Sequence, residues 1–321
     1  MKKRIISILL LCCMVLTMLP TTVLAADGPM DTIPKYDVSI DVYNRTSDIS
    51  IKDSRSYYIY SSVPDKLRDT WAWDKKIFIK GDKTAPHVFI DGVNIEMSPS
   101  SKGPAIELNN KASAYIYFIG KNSSLQGADG RAAIQKNRSE GQLYVLARTG
   151  TTVTCKGGDK AAGIGGSYAT RNISNGYYNG DMFGHGVNMH FGSQSNPDYW
   201  GGTIAAIGGN GGAGIGGGEY SSGKVTISGG EITATGSYLG AGIGGGEKGS
   251  GDVTITGGEM VAIIQGRDPA LVEDAYASTL AHEQGFRPSQ PEVIEPAARK
   301  VHMISEKIEA PENAPADGET N

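Results

Sequence analysis

Short stretches of alternating apolar and polar residues recur along the middle of the chain. Residues 225–227 (VTI) and 232–235 (ITAT) alternate with the period of two that is typical of a half-buried β-strand. Gly229 and Gly230 separate these two stretches, and glycine is the residue that sharp corners need because it adopts positive φ angles readily. The pattern predicts short strands joined by tight corners.

The same pattern repeats at a fixed spacing. The heptapeptide GAGIGGG at residues 212–218 recurs at 240–246, and residues 224–231 match residues 252–259. Two columns of apolar residues extend the period and share one long gap of 51 residues: Ile106, Ile134, Ile164, Ile215 and Ile243, and then Ile95, Leu125, Val153, Ile204, Ile232 and Met260. A β-sandwich with glycine-rich hairpins explains the alternation but not this shared register. The repeat therefore predicts an all-β fold, a β-solenoid with about 28 residues and three strands in each coil.

The two ends of the chain differ from the repeat. Lys2, Lys3 and Arg4 precede an apolar run over residues 5–19, and this predicts a signal peptide over residues 1–25 and a secreted protein. Residues 26–48 are predicted as an N-terminal strand or cap, and residues 49–265 as the solenoid. A capping helix is expected over residues 268–285, followed by a disordered tail rich in proline and glutamate over residues 286–321.

Composition narrows the function classes. The formal net charge is −4, which argues against a nucleic-acid-binding protein. No second hydrophobic stretch is long enough to span a membrane once the signal peptide is removed. Cys155 is then the one remaining cysteine, and its place two residues after Val153 predicts a buried side chain. We expect a monomer stabilised by its core.

The gap of 51 residues contains two insertions, at about residues 167–186 and 191–200, on either side of a strand at 187–190. They are rich in aromatic, amide and acidic side chains, which suit sugars because rings stack on C–H groups while polar groups bind hydroxyls. We expect the candidate ligand-binding residues to be Tyr177, Tyr178, Asp181, Phe183, Asn188, His190, Asp198, Tyr199 and Trp200. The alternative is that the insertions fold over each other as a small local core.

An outward column is predicted beside the insertions. Its members are expected to be Ser50, Phe89, Tyr117, Tyr144, Asn188, Thr226 and Thr254. Tyr117 and Tyr144 therefore join the candidate ligand-binding residues. The alternative is cross-strand stacking that only stabilises the sheet.

Two pairs of glutamates also recur at the repeat spacing. Glu231 and Glu259 are one repeat length apart, as are Glu219 and Glu247. Carboxylates stacked about 5 Å apart repel each other unless a cation lies between them, and oxygen ligands suit Ca²⁺. This predicts a calcium site at Glu231 and Glu259, with two solvated, splayed side chains as the alternative.

The repeats GAGIGGG and VTISGG resemble those of secreted glycine-rich repeat proteins of Gram-positive, clostridia-like bacteria, often described as containing carbohydrate-binding domains. The resemblance covers residues 201–262 and extends to 87–166. It implies a right-handed parallel β-helix of the pectate-lyase-like class, an extracellular or cell-surface role and a polysaccharide partner.

We therefore expect a non-catalytic polysaccharide-binding protein and assign no catalytic residue. One alternative is a polysaccharide lyase or glycoside hydrolase on the same fold, for which Asp181, Asp198 and His190 are the concentrated candidates. The other alternative is a structural or adhesive surface protein.

Overall fold

The computed structural model divides the chain into two units, residues 1–34 and 35–321. It describes residues 33–101, 103–109, 111–136, 140–168, 171–174, 177–180, 184–237, 239–265 and 300–306. Side chains are described over the same ranges except 171–174, 177–180, 264–265 and 300–306. Of the first unit, only Ile33 and Pro34 are described.

The second unit is built from short β-strands, with two single turns of 3-10 helix at Asp65–Leu67 and Pro99–Ser101. The strands are, in chain order, β1 (Val38–Asp41), β2 (Ile49–Ile51), β3 (Ser56–Tyr60), β4 (Ile77–Lys80), β5 (His87–Asp91), β6 (Asn94–Glu96), β7 (Ile106–Asn109), β8 (Ala114–Ile119), β9 (Ser123–Gln126), β10 (Ile134–Lys136), β11 (Leu143–Ala147), β12 (Thr152–Lys156), β13 (Ile164–Gly165), β14 (Arg171–Ser174), β15 (Tyr177–Gly180), β16 (Gly186–Phe191), β17 (Thr203–Ile207), β18 (Ile215–Gly216), β19 (Gly223–Ile227), β20 (Glu231–Gly236), β21 (Ile243–Gly244), β22 (Gly251–Ile255), β23 (Glu259–Gln265) and β24 (Lys300–Glu306).

Three parallel sheets run the length of the solenoid. Sheet A has the order β1-β3-β5-β8-β11-β16-β19-β22, sheet B the order β2-β4-β7-β10-β13-β18-β21, and sheet C the order β24-β23-β20-β17-β12-β9-β6. Ile164 pairs with Ile215 on sheet B, across the long gap. The predicted parallel β-solenoid with three strands in each coil is confirmed, and a sandwich of antiparallel layers is excluded.

Apolar columns line the interior. The predicted column from Ile106 to Ile243 is confirmed on sheet B. The predicted column on sheet C needs a correction, because Leu125 pairs with Cys155 while Val153 pairs with Ser123. A shift of two residues keeps every inward side chain inward, so the hydrophobic pattern alone could not show it. Cys155 is fully buried as predicted, and its burial raises the pKa of the thiol.

The repeated glycines of GAGIGGG have a backbone reason. Gly165, Gly216 and Gly244 follow each other on sheet B with φ angles of 130°, 137° and 133°. A Cβ on Gly216 would lie 1.8 Å from the carbonyl oxygen of Gly244. Only glycine fits this tight corner between sheets B and A.

The C-terminal region differs in part from its prediction. β24 pairs in parallel with β23 and extends sheet C, although its residues fall within the segment predicted as a disordered tail. The sequence VHMIS at 301–305 starts with the alternation of a strand, but the surrounding prolines and glutamates outweighed it. The predicted signal peptide and the capping helix over 268–285 lie outside the described residues. No helix in the described ranges is long and apolar enough to cross a membrane.

Candidate functional site

The outer face of sheet A carries a ladder of four stacked rings. His87, Tyr115, Tyr144 and His190 occupy successive strands in register. The ring centroids are 4.7, 4.6 and 4.6 Å apart, and the interplanar angles are 5°, 7° and 16°. All four side chains are half-buried. We call these four residues the ring ladder.

The ring ladder corrects the predicted outward column. Tyr144 lies beside Tyr115, not Tyr117, and Ser50 belongs to sheet B. His190, not Asn188, pairs with both Tyr144 and Thr226. Coil length varies, and the register of β16 shifts at Asn188, which has a positive φ of 55°. The predicted column is therefore displaced by two positions at Tyr144 and again at Asn188.

Two members of the ring ladder were not predicted from the sequence. His87 and Tyr115 are one repeat length apart, so the repeat could have aligned them. Their signal was obscured because the neighbouring outward column, Tyr58, Phe89 and Tyr117, is aromatic too.

That neighbouring column forms a second, outer cluster. The outer cluster contains Tyr58, Phe89, Tyr117, Ile119, Leu146, Tyr199 and Trp200. The Trp200 ring lies 5.2 Å from Tyr117 and 4.6 Å from Tyr199, and the two insertion residues are only 6% and 7% exposed.

Backbone bonds hold the second insertion over this cluster. The Thr149 N–H donates to the Tyr199 carbonyl at 2.9 Å, and the Gly201 N–H donates to the Thr149 hydroxyl at 3.0 Å. Tyr199 and Trp200 therefore form a small local core. The loop turns these apolar rings onto sheet A, away from water, so they present no open stacking face in this structure, and their assignment as ligand-binding residues stays a prediction. Asp198 in the same loop is exposed.

The first insertion contains an antiparallel hairpin. β14 pairs with β15, with Ile173 opposite Tyr178 and Ser174 opposite Tyr177. The structure places Tyr177 and Tyr178 on β15 and describes only their backbone. Asp181 and Phe183 lie outside the described residues, so all four assignments stay predictions.

The ring ladder ends at His190. The next two residues in register are Thr226 and Thr254, which carry no ring. Within the described part of the chain, Tyr144 is the one ring that stacks on His190. Lys224 and Asp252 flank the two threonines as an ion pair of 2.8 Å, and both are more than half exposed. We call His190, Thr226, Thr254, Lys224 and Asp252 the ladder shelf.

The electrostatics of the ladder ends favour neutral rings. Burial lowers the pKa of His87 and of His190 below the usual value of 6.5, because a buried imidazole loses the hydration of its charged form. His87 Nδ1 also lies 3.0 Å from the Tyr117 hydroxyl. Both imidazoles are therefore uncharged at neutral pH.

Glu231 and Glu259 align as predicted. Glu231 pairs with Glu259 in register, and Glu231 Oε2 accepts a hydrogen bond of 2.8 Å from the Thr203 hydroxyl. Lys300 is the next residue in that row. No group of three or more metal-ligating side chains occurs among the described residues. The calcium prediction at Glu231 and Glu259 therefore rests on their alignment, and Ca²⁺ usually takes six to eight oxygens.

The other glutamate pair is neutralised by lysines. Glu219 lies 3.4 Å from Lys160, and Glu247 lies 3.2 Å from Lys248. Each of these two carboxylates therefore has a lysine as its counter-charge.

The three sheets and the in-register columns define a parallel β-helix protein. A family model described as a beta helix repeat matches residues 225–247, which contain most of β19 and all of β20 and β21. No curated protein and no solved structure matches the chain.

Proposed function

We propose that this β-helix protein is a secreted, non-catalytic polysaccharide-binding protein that holds a sugar ring on the ladder shelf. The observation that carries the proposal is the end of the ring ladder at His190, where the next residues in register, Thr226 and Thr254, carry no ring. The proposal assigns no catalytic residue.

The interior of the ring ladder cannot offer the same surface. Each inner ring is covered on both faces by its neighbours, so Tyr115 and Tyr144 present only their edges to solvent. A sugar ring that stacks on an aromatic ring needs a free face. This limits stacking to the ends of the ladder, and His190 is the end that borders the ladder shelf.

The surroundings of His190 suit a sugar. A pyranose ring placed against its face would stand on Thr226 as the next step of the ladder, with its apolar C–H groups on the imidazole. The hydroxyls of Thr226 and Thr254 and the charged groups of Lys224 and Asp252 would then face the rim of the sugar, where its hydroxyls are. An apolar contact that is surrounded by a small number of polar groups is typical of a small-molecule site.

A glycan array followed by calorimetry tests the proposal. His190→Ala should weaken the best ligand at least tenfold, because it removes the stacking face. His87→Ala is the matched control, since it removes the opposite end ring of the same ladder and leaves the shelf intact. Equal affinities of wild type and His190→Ala for the glycan would refute the proposed site. The absence of binding to any glycan would refute the proposed function.

A further inference from the structure

Arg148 is a charged side chain that makes no ion pair with the described residues. Its Nη1 atom is buried and has no hydrogen-bond partner, and no carboxylate of the described residues lies within ion-pair distance of its guanidinium. The side chain as a whole is half-buried, and a buried donor that makes no hydrogen bond loses hydration without compensation. An unpaired guanidinium donor therefore points to a ligand that supplies a negative charge.

The strand register explains why the carboxylate of Asp91 does not reach Arg148. Arg148 directly follows β11, whose last residue pairs with Phe118, so Arg148 lies beside Ile119 on the outer face. Asp91 is the next residue beyond Ile119. Two strand spacings, about 9.6 Å, separate Asp91 from Arg148.

Asp91 is also occupied by other donors. It accepts hydrogen bonds of 2.8 Å from the Tyr58 hydroxyl and from the backbone N–H of Lys121. Its carboxylate is therefore held on the far side of Ile119 from Arg148.

Two further cations occupy the same corner between sheets A and C. Lys121 and Arg68 share the exposed carboxylate of Asp65, at 2.9 and 3.5 Å. Arg68 also donates to the carbonyl oxygens of Gly92 and Val63. Of the three cations Arg68, Lys121 and Arg148, Arg148 is the one that makes no ion pair with a described carboxylate. An anion would therefore gain the most binding energy at Arg148.

We propose that Arg148 binds the carboxylate or sulfate group of an acidic sugar. The inference rests on the proposed function and narrows its ligand class to acidic polysaccharides. Tyr144 pairs with His190, and Arg148 lies four residues further along the strand, about 13 Å away. A polysaccharide chain that contacts both the ladder shelf and Arg148 would therefore pass over the second insertion, because Tyr199 and Trp200 share the outer cluster with Leu146.

Calorimetry with a polyuronate and with its neutral methyl ester tests the inference. Arg148→Gln should weaken the polyuronate about tenfold or more and leave the methyl ester unchanged, because one charge-assisted contact is lost. Arg131→Gln is the matched control, since it makes the same charge change at another corner. Arg148→Gln should keep or raise the melting temperature, because no native ion pair is broken.

The other outcomes separate the two proposals. If both polymers bind and Arg148→Gln changes neither affinity, the acidic-sugar inference is overturned and the proposed function stands. If neither polymer binds, the change in melting temperature on adding sodium sulfate or free glucuronate tests the inference about Arg148 separately from the proposed function. Stabilisation of wild type but not of Arg148→Gln supports an anion site, and no difference between them overturns it.

Discussion

The N-terminal and C-terminal halves of sheet A differ in the side chains on the outer face of the sheet, whereas their inner faces are alike. From β5 to β16 the outer face bears the ring ladder, whereas β19 and β22 bear Thr226 and Thr254 at the same position. The inner side is apolar throughout, with Val145, Val225 and Val253 all buried. The inner face is therefore the same with and without the rings, and among the described residues the stack of rings stops at the boundary between the halves.

The halves also differ in how the neighbouring corner is built. Phe78, Glu107 and Gln135 stand at successive positions of sheet B, and glycines replace them from Gly165 onward. Glycine lets the C-terminal coils take a tighter corner that no other residue allows. The C-terminal half is thus more regular and more dependent on backbone geometry.

The largest expected effect is the loss of stability when a glycine of the corner between sheets B and A is replaced. Gly216→Ala should destabilise the protein by about 4 kcal/mol or more, because its Cβ would overlap the Gly244 carbonyl and its φ is 137°. Gly150→Ala is the control, since its φ is 81° and no atom lies within 4 Å of the added Cβ. Denaturant unfolding compares the two, and equal losses would show that the corner is not tight.

Trp200→Ala tests the outer cluster of the ring-bearing half. We expect a loss of about 3 kcal/mol in the free energy of unfolding, because a buried ring is removed. Sugar affinity at the ladder shelf should stay within twofold of wild type. A selective loss of binding with unchanged stability would restore Trp200 as a ligand contact.

Thr226→Tyr should convert the boundary into a fifth ladder step. Its ring would stack on His190 and raise the free energy of unfolding by about 0.5–1 kcal/mol. The same ring would occupy the ladder shelf, so sugar binding should disappear. A variant that is stabilised and still binds sugar at full affinity would contradict the proposed site.

The smallest expected effect is on the pH dependence of the free energy of unfolding. The folded-state pKa of His87 and of His190 lies below 6.5, so the unfolded chain binds more protons as the pH falls through this range. Their contribution to stability is complete above pH 6.5 and declines below it. Unfolding at pH 7.5 and 5.5 should show a smaller decline for His190→Phe than for wild type, and an equal decline would contradict the shifted pKa.

Much of the fold was predictable because the repeat constrains it at two levels. The isoleucines of sheet B recur at the repeat spacing, and the glycines between them fix the corners. Together these two features predicted the coil and its three strands. β24 was not predictable in the same way, since it has no glycine-flanked copy in the repeat.

The candidate site was predictable only in part. His190 was identified from the composition of its neighbourhood, but its partners were not, because the shift at Asn188 changes the register without changing the inward pattern. The burial of Tyr199 and Trp200 depends on where a loop folds, and local composition suits an open site and a small core equally well.

The most direct test of the account is the nuclear magnetic resonance signal of the histidine ring C–H groups during titration with the best-bound glycan. The ring signals of His190 should move with saturation, while those of His87 at the other end of the ladder stay fixed. Shifts of His87 with none at His190 would contradict the claim that the His190 end of the ring ladder binds the sugar.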